Sequence, residues 1–114
     1  MQMQNELYDD VDRDALMRIF QQESEEGLAA MEQALVAFEQ NQADAEALQT
    51  LFRAAHTLKG NAGCLGFTDL AALTHGIEDV LDRLRSGASA SREIVDLLLE
   101  SLDAVRTLLA ETRA

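Results

Sequence analysis

Four residues in the middle of the chain combine types and spacing that could support chemistry. They occupy positions i, i+3, i+4 and i+7, namely His56, Lys59, Gly60 and Gly63. A helix would place them on one face, about 130° from the apolar stripe of the same segment. Each glycine inside a helix costs about 1 kcal/mol relative to alanine. Either another helix packs closely there or a partner must reach the imidazole, and the second explanation is favoured because the glycines lie away from the apolar stripe.

The next helix should bring an acidic side chain to His56. His56 lies eleven residues before Phe67 and Glu78 lies eleven after it. A helical hairpin that turns at Gly66-Phe67 therefore places both about 16 Å from the turn, at the same level. Glu78 also falls on the flank of its helix that meets the His56 side of the hairpin. His75 lies one turn earlier and farther out, as another candidate for the same site.

This arrangement would prepare the imidazole for nucleophilic chemistry. A carboxylate that accepts from Nδ1–H fixes the tautomer and leaves a lone pair on Nε2. Nε2 can then attack phosphorus, and Lys59 can offset charge on the arriving phosphoryl group. Each residue alone is an ordinary helix-surface residue, and Phe52 and Phe67 also suit packing. The combination favours a site, whose docking face is expected to consist of Phe52, Arg53, His56, Gly60 and Gly63.

The elements that must position these residues are helices. Apolar periodicity predicts four of them, at about 12–38, 44–65, 68–85 and 91–111. Asp44, Thr68 and Ser91 are expected N-caps, and Gly66 is expected to end the second helix. The first helix is expected to bury Leu16, Phe20, Gly27, Met31, Leu35 and Phe38. Short connectors predict one all-α domain over 1–114, an up-down-up-down antiparallel four-helix bundle.

Composition excludes several function classes. A formal charge of −12 over 114 residues argues against nucleic acid and anionic membrane surfaces as partners. No apolar run is long enough to span a membrane, and no glycine-rich phosphate loop is present. The single cysteine, Cys64, excludes an intrachain disulfide and is expected in the core. These features predict a cytoplasmic domain without a nucleotide site of its own.

The central segment also resembles a known family. Residues Phe52–Phe67 contain the H-x-x-K-G signature and the later Gly-Phe typical of histidine phosphotransfer domains. Residues Leu73–Glu78 resemble the N-terminal phosphotransfer domain of CheA-type chemotaxis kinases. The acidic first helix, with Phe20–Ser24 and Met31-Glu32, is similar to the first helix of that family. The resemblance covers nearly the whole chain.

The resemblance implies specific roles and partners. His56 corresponds to the phosphorylated histidine, Lys59 to the lysine beside it, Glu78 to the acid that orients the imidazole, and His75 to the second histidine of the family site. The donor would be the ATP-bound catalytic domain of a CheA-type kinase. The acceptors would be CheY-like receiver domains, which bind Mg²⁺ and carry the acceptor aspartate. This chain would bind no cofactor, since its partners supply ATP and Mg²⁺. An excised kinase domain and a free-standing phosphotransfer protein both fit the sequence.

Two alternatives from other classes remain at the level of sequence. His56, His75 and Glu78 could ligate a metal ion, as three side chains do in a catalytic zinc site. A bundle with two metal ions would need Glu-x-x-His motifs on two helices and two further glutamates, whereas this chain has one motif in the reverse order, His75-x-x-Glu78, and no matching set elsewhere. The second alternative is a docking bundle without chemistry, in which His56 would be replaceable. That alternative leaves the glycine face unexplained.

Overall fold

The computed structural model describes the backbone of residues 2–113 and the side chains of residues 12–113. Four α-helices form this part of the chain, which contains no β-strand. They are α1 (Gln2–Gln40), α2 (Ala45–Cys64), α3 (Thr68–Arg85) and α4 (Arg92–Glu111). The predicted all-α class is confirmed. The predicted ends of α2, α3 and α4 agree with the observed ends to within a residue.

The four helices form an antiparallel bundle. α1 and α3 each pack against both α2 and α4, and in the described part of the chain the backbones of the diagonal pairs stay farther apart than those of the neighbouring pairs. Because the connectors are short, each helix returns beside the previous one. The arrangement is the predicted up-down-up-down bundle.

The core lies along the bundle axis and consists mainly of leucine and alanine. All four helices contribute to it, and Met31, Leu35, Ala55, Leu81 and Val105 are fully buried. The apolar stripe of α2 is buried as well, at Leu51, Ala55, Leu58 and Ala62. Removal of this apolar surface from water is the main term that holds the helices together. The stripe also fixes which face of α2 remains outside.

The prediction for α1 was wrong in two respects. The helix begins at Gln2 instead of Asp12, because neither glycine nor proline interrupts the chain before Gly27. Leu16 is 54% exposed and Gly27 is only half-buried, although both were expected in the core. Phe20 stacks on Phe67 at the α2–α3 turn, with ring centroids 5.3 Å apart. Leu16 lies one turn farther along α1, beyond this end of the bundle.

The α2–α3 turn is a tight helix ending at Gly66. The Phe67 amide donates to Ala62 and the Gly66 amide to Gly63, the pair of bonds that defines a Schellman motif. Gly66 has φ +84°, which glycine adopts without a Cβ penalty. Its predicted role is confirmed. This turn fixes the register of α2 against α3.

The helix caps agree with prediction at two of the three proposed positions. Asp44 accepts from the Ala47 amide and Ser91 from the Ile94 amide, as N-caps do. Thr68 was predicted to cap α3, but it is the first residue of that helix. Phe67 holds the N-cap position without a side-chain bond. The tight turn, together with the stacking of Phe67 on Phe20, brings Thr68 into the first helical turn.

Cys64 is exposed, so its prediction as a core residue was wrong. It is the last residue of α2, and its apolar neighbours in sequence turn towards the bundle while Cys64 faces outwards. Among the described helices, none is long and apolar enough to cross a lipid bilayer.

Candidate functional site

His56 and Glu78 meet across the α2–α3 groove. His56 Nδ1 lies 2.7 Å from Glu78 Oε2. The hairpin spacing predicted this contact, because the Gly66 turn holds both residues at the same level. The His56 side chain is 65% exposed, whereas that of Glu78 is 14% exposed. The imidazole therefore faces solvent while its orienting carboxylate is held in the groove.

Lys59 also contacts Glu78 instead of extending freely into solvent. Its ammonium donates to Glu78 Oε1 at 2.8 Å, so one carboxylate bridges the lysine and the histidine. The hydrogen bond from Lys59 is the largest influence and lowers the pKa of Glu78. Burial opposes this effect, and the hydrogen bond with His56 reinforces it. Glu78 is consequently ionised at neutral pH.

The charge state of Glu78 determines the form of His56. An ionised carboxylate can only accept hydrogen bonds, so His56 Nδ1 must carry the proton in this contact. In neutral imidazole the lone pair then lies on Nε2. Among residues 12–113, no hydrogen bond to Nε2 is formed. Nε2 of His56 is therefore an accessible nucleophilic nitrogen, and the contact of Nδ1 with Glu78 sets the tautomer of the ring.

His75 is not part of this hydrogen-bonded group. Its Nε2 lies 3.6 Å from Asp79 Oδ2, one turn along α3, and both side chains are exposed. In the described structure it makes no hydrogen bond with His56 or Glu78. The structure thus brings together three of the four proposed site residues and places the fourth nearby on the outer face of α3.

Packing within the fold does not explain why the face of α2 that carries Gly60 and Gly63 lacks side chains. A Cβ built at Gly60 or Gly63 would meet nothing within 4 Å. Close packing of another helix, the structural explanation for these glycines, is therefore excluded within the described chain. Arg53 is exposed on the other flank of His56 and lines a groove between α1 and α2 of about 320 Å³. The face around His56 is open on both sides.

Phe52 and Arg85 form the remaining contacts around the histidine. Phe52 is half-buried, and its ring lies 6.3 Å from that of His56 with only 9° between the planes. The Arg85 guanidinium lies over the Phe52 ring, 3.9 Å from its centroid. Sequence reasoning missed Arg85. The available signal was its place one helical turn beyond Asp82, the α3 residue level with Phe52.

The metal alternative finds no support in this geometry. Among the described residues, no group of three or more His, Cys, Asp or Glu side chains is arranged to hold a metal ion. His75 is paired with Asp79, while Glu78 is engaged by Lys59 and His56. The candidate ligands do not converge.

Comparisons with known proteins agree with the geometry. The chain is 38% identical over 99 residues to the chemotaxis protein CheA of Bacillus subtilis, a match covering 86% of this chain and 15% of that protein. It thus spans about one seventh of the length of this relative. The CheA phosphotransferase domain of Thermotoga maritima superposes with a TM-score of 0.79 at 30% identity, over 86% of this chain and 94% of that one.

A second solved structure is similar at the same level. The phosphorylated P1 domain of CheA3 from R. sphaeroides, solved in complex with CheY6, gives a TM-score of 0.81 at 34% identity. The match covers 87% of this chain and 78% of that chain. The family model of the Hpt domain matches residues 15–108, which include all of α2 and α3, most of α1 and α4, and every residue of the site. This chain belongs to the Hpt, or histidine phosphotransfer, domain family.

Proposed function

We propose that this chain carries a phosphoryl group on His56 and passes it to an aspartate of a receiver domain in chemotaxis signalling. The observation that carries the proposal is the contact between His56 Nδ1 and the Glu78 carboxylate, which leaves an exposed Nε2. Membership of the Hpt family and similarity to CheA proteins support it. No observation favours a second function.

Phosphorylation would begin with attack of His56 Nε2 on the γ-phosphorus of ATP held by a CheA-type catalytic domain. The Nε2–P bond forms as the bond from phosphorus to the bridging oxygen breaks, and ADP leaves with that electron pair. The imidazole becomes positively charged during attack. The ionised Glu78 stabilises that charge through the Nδ1–H bond.

Onward transfer reverses the change at His56. A carboxylate oxygen of the receiver's aspartate attacks phosphorus, and the N–P bond returns its electron pair to Nε2. We propose that Mg²⁺ and ATP belong to the partner domains and that this chain binds neither. Its net charge of −12 disfavours a triphosphate site. We also propose a cytoplasmic location, because ATP and receiver domains are available there.

Lys59 and His75 have proposed secondary roles. Lys59 keeps Glu78 ionised and contributes positive charge one helical turn from the phosphoryl group. His75 corresponds to the second histidine of the CheA site, and its exposed ring would join His56 only after leaving Asp79. Neither residue substitutes for the nucleophile.

The receiver is proposed to dock on the face formed by Arg53, His56, Gly60 and Gly63, whereas Phe52, which the sequence also assigned to this face, is half-buried and covered by the Arg85 guanidinium. The bare glycines allow a partner's backbone or side chains to approach the helix closely. The P1 domain of CheA3 was solved in complex with CheY6, and a receiver of that kind is the proposed partner here.

The decisive experiment is phosphorylation of wild type and His56→Gln by a CheA-type kinase with radiolabelled ATP. Wild type should acquire an acid-labile, base-stable label, and His56→Gln should acquire none. His75→Gln serves as the matched control, with the second imidazole removed and the nucleophile intact. A label that persists in His56→Gln, or maps to His75, would overturn the assignment.

A further inference from the structure

Three flat groups lie in a row along the α2–α3 groove. The His56 imidazole is nearly parallel to the phenyl ring of Phe52, and the Arg85 guanidinium covers that phenyl ring. The ring separation of 6.3 Å lies within the range of offset-stacked aromatic pairs. Phe52 is itself anchored because it packs against the core.

The hydrogen bond with Glu78 leaves one property of His56 undetermined. It fixes which nitrogen carries the proton, but it holds the ring at a single atom. The χ2 torsion of histidine is broad, so a ring held only at Nδ1 can still swing and redirect Nε2. A second contact is needed to fix the direction of the nucleophilic lone pair.

We propose that Phe52 and Arg85 form a positioning stack that fixes the plane of the His56 imidazole for phosphoryl transfer. The proposal rests on the function proposed above and adds two positioning residues to it. Phe52 lies four residues before His56, whereas Lys59 lies three residues after it. The imidazole is therefore held between an aromatic support on one side and the Glu78–Lys59 pair on the other.

Arg85 covers the Phe52 ring of this stack. It belongs to the last turn of α3, so its contact with Phe52 crosses the same groove as the contact between Glu78 and His56. Among the described residues, its guanidinium forms no ion pair with a carboxylate. Its observed contact is the face of Phe52, a cation–π arrangement. Removal of Arg85 should free Phe52 to change rotamer.

Phe52 was predicted to contact the receiver, and the two roles predict different kinetics. A docking residue contributes to affinity, so its loss raises KM for the kinase and weakens binding of the receiver. A positioning residue acts after the complex has formed, so its loss lowers the rate constant at saturation. The chemical step is the one balanced above, in which the Nε2–P bond forms as ADP leaves.

The test compares Phe52→Leu, Phe52→Tyr, Arg85→Gln and Arg83→Gln. Phe52→Leu keeps an apolar side chain without a ring, and Phe52→Tyr keeps the ring. Arg83→Gln is the matched control, because it removes an equal charge from the same last turn of α3. We expect the saturating rate of kinase phosphorylation to fall about tenfold in Phe52→Leu and about threefold in Arg85→Gln. Phe52→Tyr and Arg83→Gln should match wild type, and KM should stay unchanged in all four.

Nuclear magnetic resonance of the His56 ring provides a readout that a purely structural role would not change. Ring-current displacement of the imidazole protons and a single side-chain rotamer should persist in Phe52→Tyr and Arg83→Gln. Both should be lost in Phe52→Leu. Melting curves of each variant establish that the bundle is folded, and the exposed position of Arg85 keeps Arg85→Gln informative even if Phe52→Leu unfolds.

Distinct outcomes separate this inference from the proposed function. If wild type accepts no phosphoryl group, the proposed function fails, and the inference fails with it. If wild type and Phe52→Leu are phosphorylated at the same saturating rate, only the positioning stack is overturned. A raised KM with an unchanged saturating rate would assign Phe52 to docking, and equal losses in Phe52→Leu and Phe52→Tyr would also overturn the proposal.

Discussion

Helices α2 and α4 have the same length but opposite relations to the molecular surface. Each contains 20 residues, begins with a side-chain N-cap and buries one apolar stripe. Outside that stripe, α2 carries His56, Lys59 and the two bare glycines. The outer face of α4 carries the pair Arg92–Asp96 within its own helix. Burial of a stripe is thus common to both helices, and only α2 uses its remaining surface for a site.

The polar contacts of the two helices differ in the same way. Ser101 and Thr107 donate back to carbonyls four residues earlier in α4. Arg106 pairs with Glu32 of α1, but both of these side chains are exposed, and such surface pairs contribute roughly 0–1 kcal/mol. Glu78, in contrast, is held in the groove by two donors from α2. A shielded carboxylate with two donors from another helix distinguishes a built site from a solvated face.

The largest effect is expected from filling the bare face of α2. Gly63→Leu should lower the rate of transfer to the receiver on the order of a hundredfold, since a shift of about 1 Å at a reacting centre can have that cost. Ala104→Leu, at an exposed position of α4, is the matched control and should transfer normally. Transfer time courses with purified receiver measure both. Normal transfer by Gly63→Leu would show that the docking face lies elsewhere.

The next effect concerns the orienting carboxylate. Glu78→Gln can still accept through its amide oxygen, whereas Glu78→Ala cannot accept at all. Phosphorylation by the kinase should therefore fall about threefold in Glu78→Gln and about tenfold in Glu78→Ala, which corresponds to about 1.4 kcal/mol for the latter. The loss is partial because Glu78 orients the nucleophile without replacing it.

Nitrogen chemical shifts of His56 test the physical step behind this order. The tautomer with Nδ1 protonated should dominate in wild type and lose population in Glu78→Ala. An unchanged tautomer ratio would mean that Glu78 does not control the ring. Asp79→Asn is a suitable control, because that carboxylate is adjacent in sequence and pairs with His75.

The sequence predicted the backbone-determined part of the site and missed the part determined by side-chain reach. The contact between His56 and Glu78 follows from the fixed rise of two helices that share one turn. The boundaries of α2 were predicted correctly because Asp44 and Gly66 are residue types that begin and end helices. Arg85 was missed because it lies one helical turn beyond the α3 residue level with Phe52, and only the length of its side chain lets it reach the ring.

The errors in the fold arise where the bundle ends. Periodicity correctly places Leu16 on the same face as Phe20, but it cannot show that partner helices stop near Phe67. Cys64 lies among apolar residues in sequence, yet the α2–α3 turn directs it outwards. Both residues illustrate that a stripe is buried only as far as its neighbours extend.

A smaller effect, on stability, should follow from the Lys59–Glu78 bond. The pKa of Glu78 is lowered in the folded protein. Folded Glu78 therefore keeps its charge at pH values where the unfolded side chain, with a reference pKa of 4.5, becomes protonated. The bond therefore stabilises the fold fully above pH 4.5 and is lost as pH falls through the folded pKa. At pH 7, Glu78→Gln should lower the free energy of unfolding by about 1 kcal/mol.

Urea unfolding followed by circular dichroism at pH 7, 5, 4 and 3 measures this dependence. The difference between wild type and Glu78→Gln should shrink towards the acid end of the series. Asp96→Asn removes the exposed pair on α4 and should change stability by less than about 0.5 kcal/mol at any of these pH values. A constant difference for Glu78→Gln would mean that the charge of Glu78 does not stabilise the bundle.

The smallest effect should come from replacing Gly60 or Gly63 with alanine, which adds only a methyl group. A methyl group at Gly60 or Gly63 would meet nothing within 4 Å, and alanine restricts the unfolded chain more than glycine does. Each Gly→Ala change should therefore raise the free energy of unfolding by about 0.4–1 kcal/mol. Gly66→Ala provides the internal control with the opposite sign, because φ +84° at that turn strains any residue with a Cβ. Melting of the three variants measures the contrast.

Stabilisation at Gly60 and Gly63 would show that α2 retains these glycines against its own stability, as a face reserved for a partner requires. Destabilisation there would instead mean that the helix itself needs them, and α2 would then resemble α4 more closely than its surface indicates.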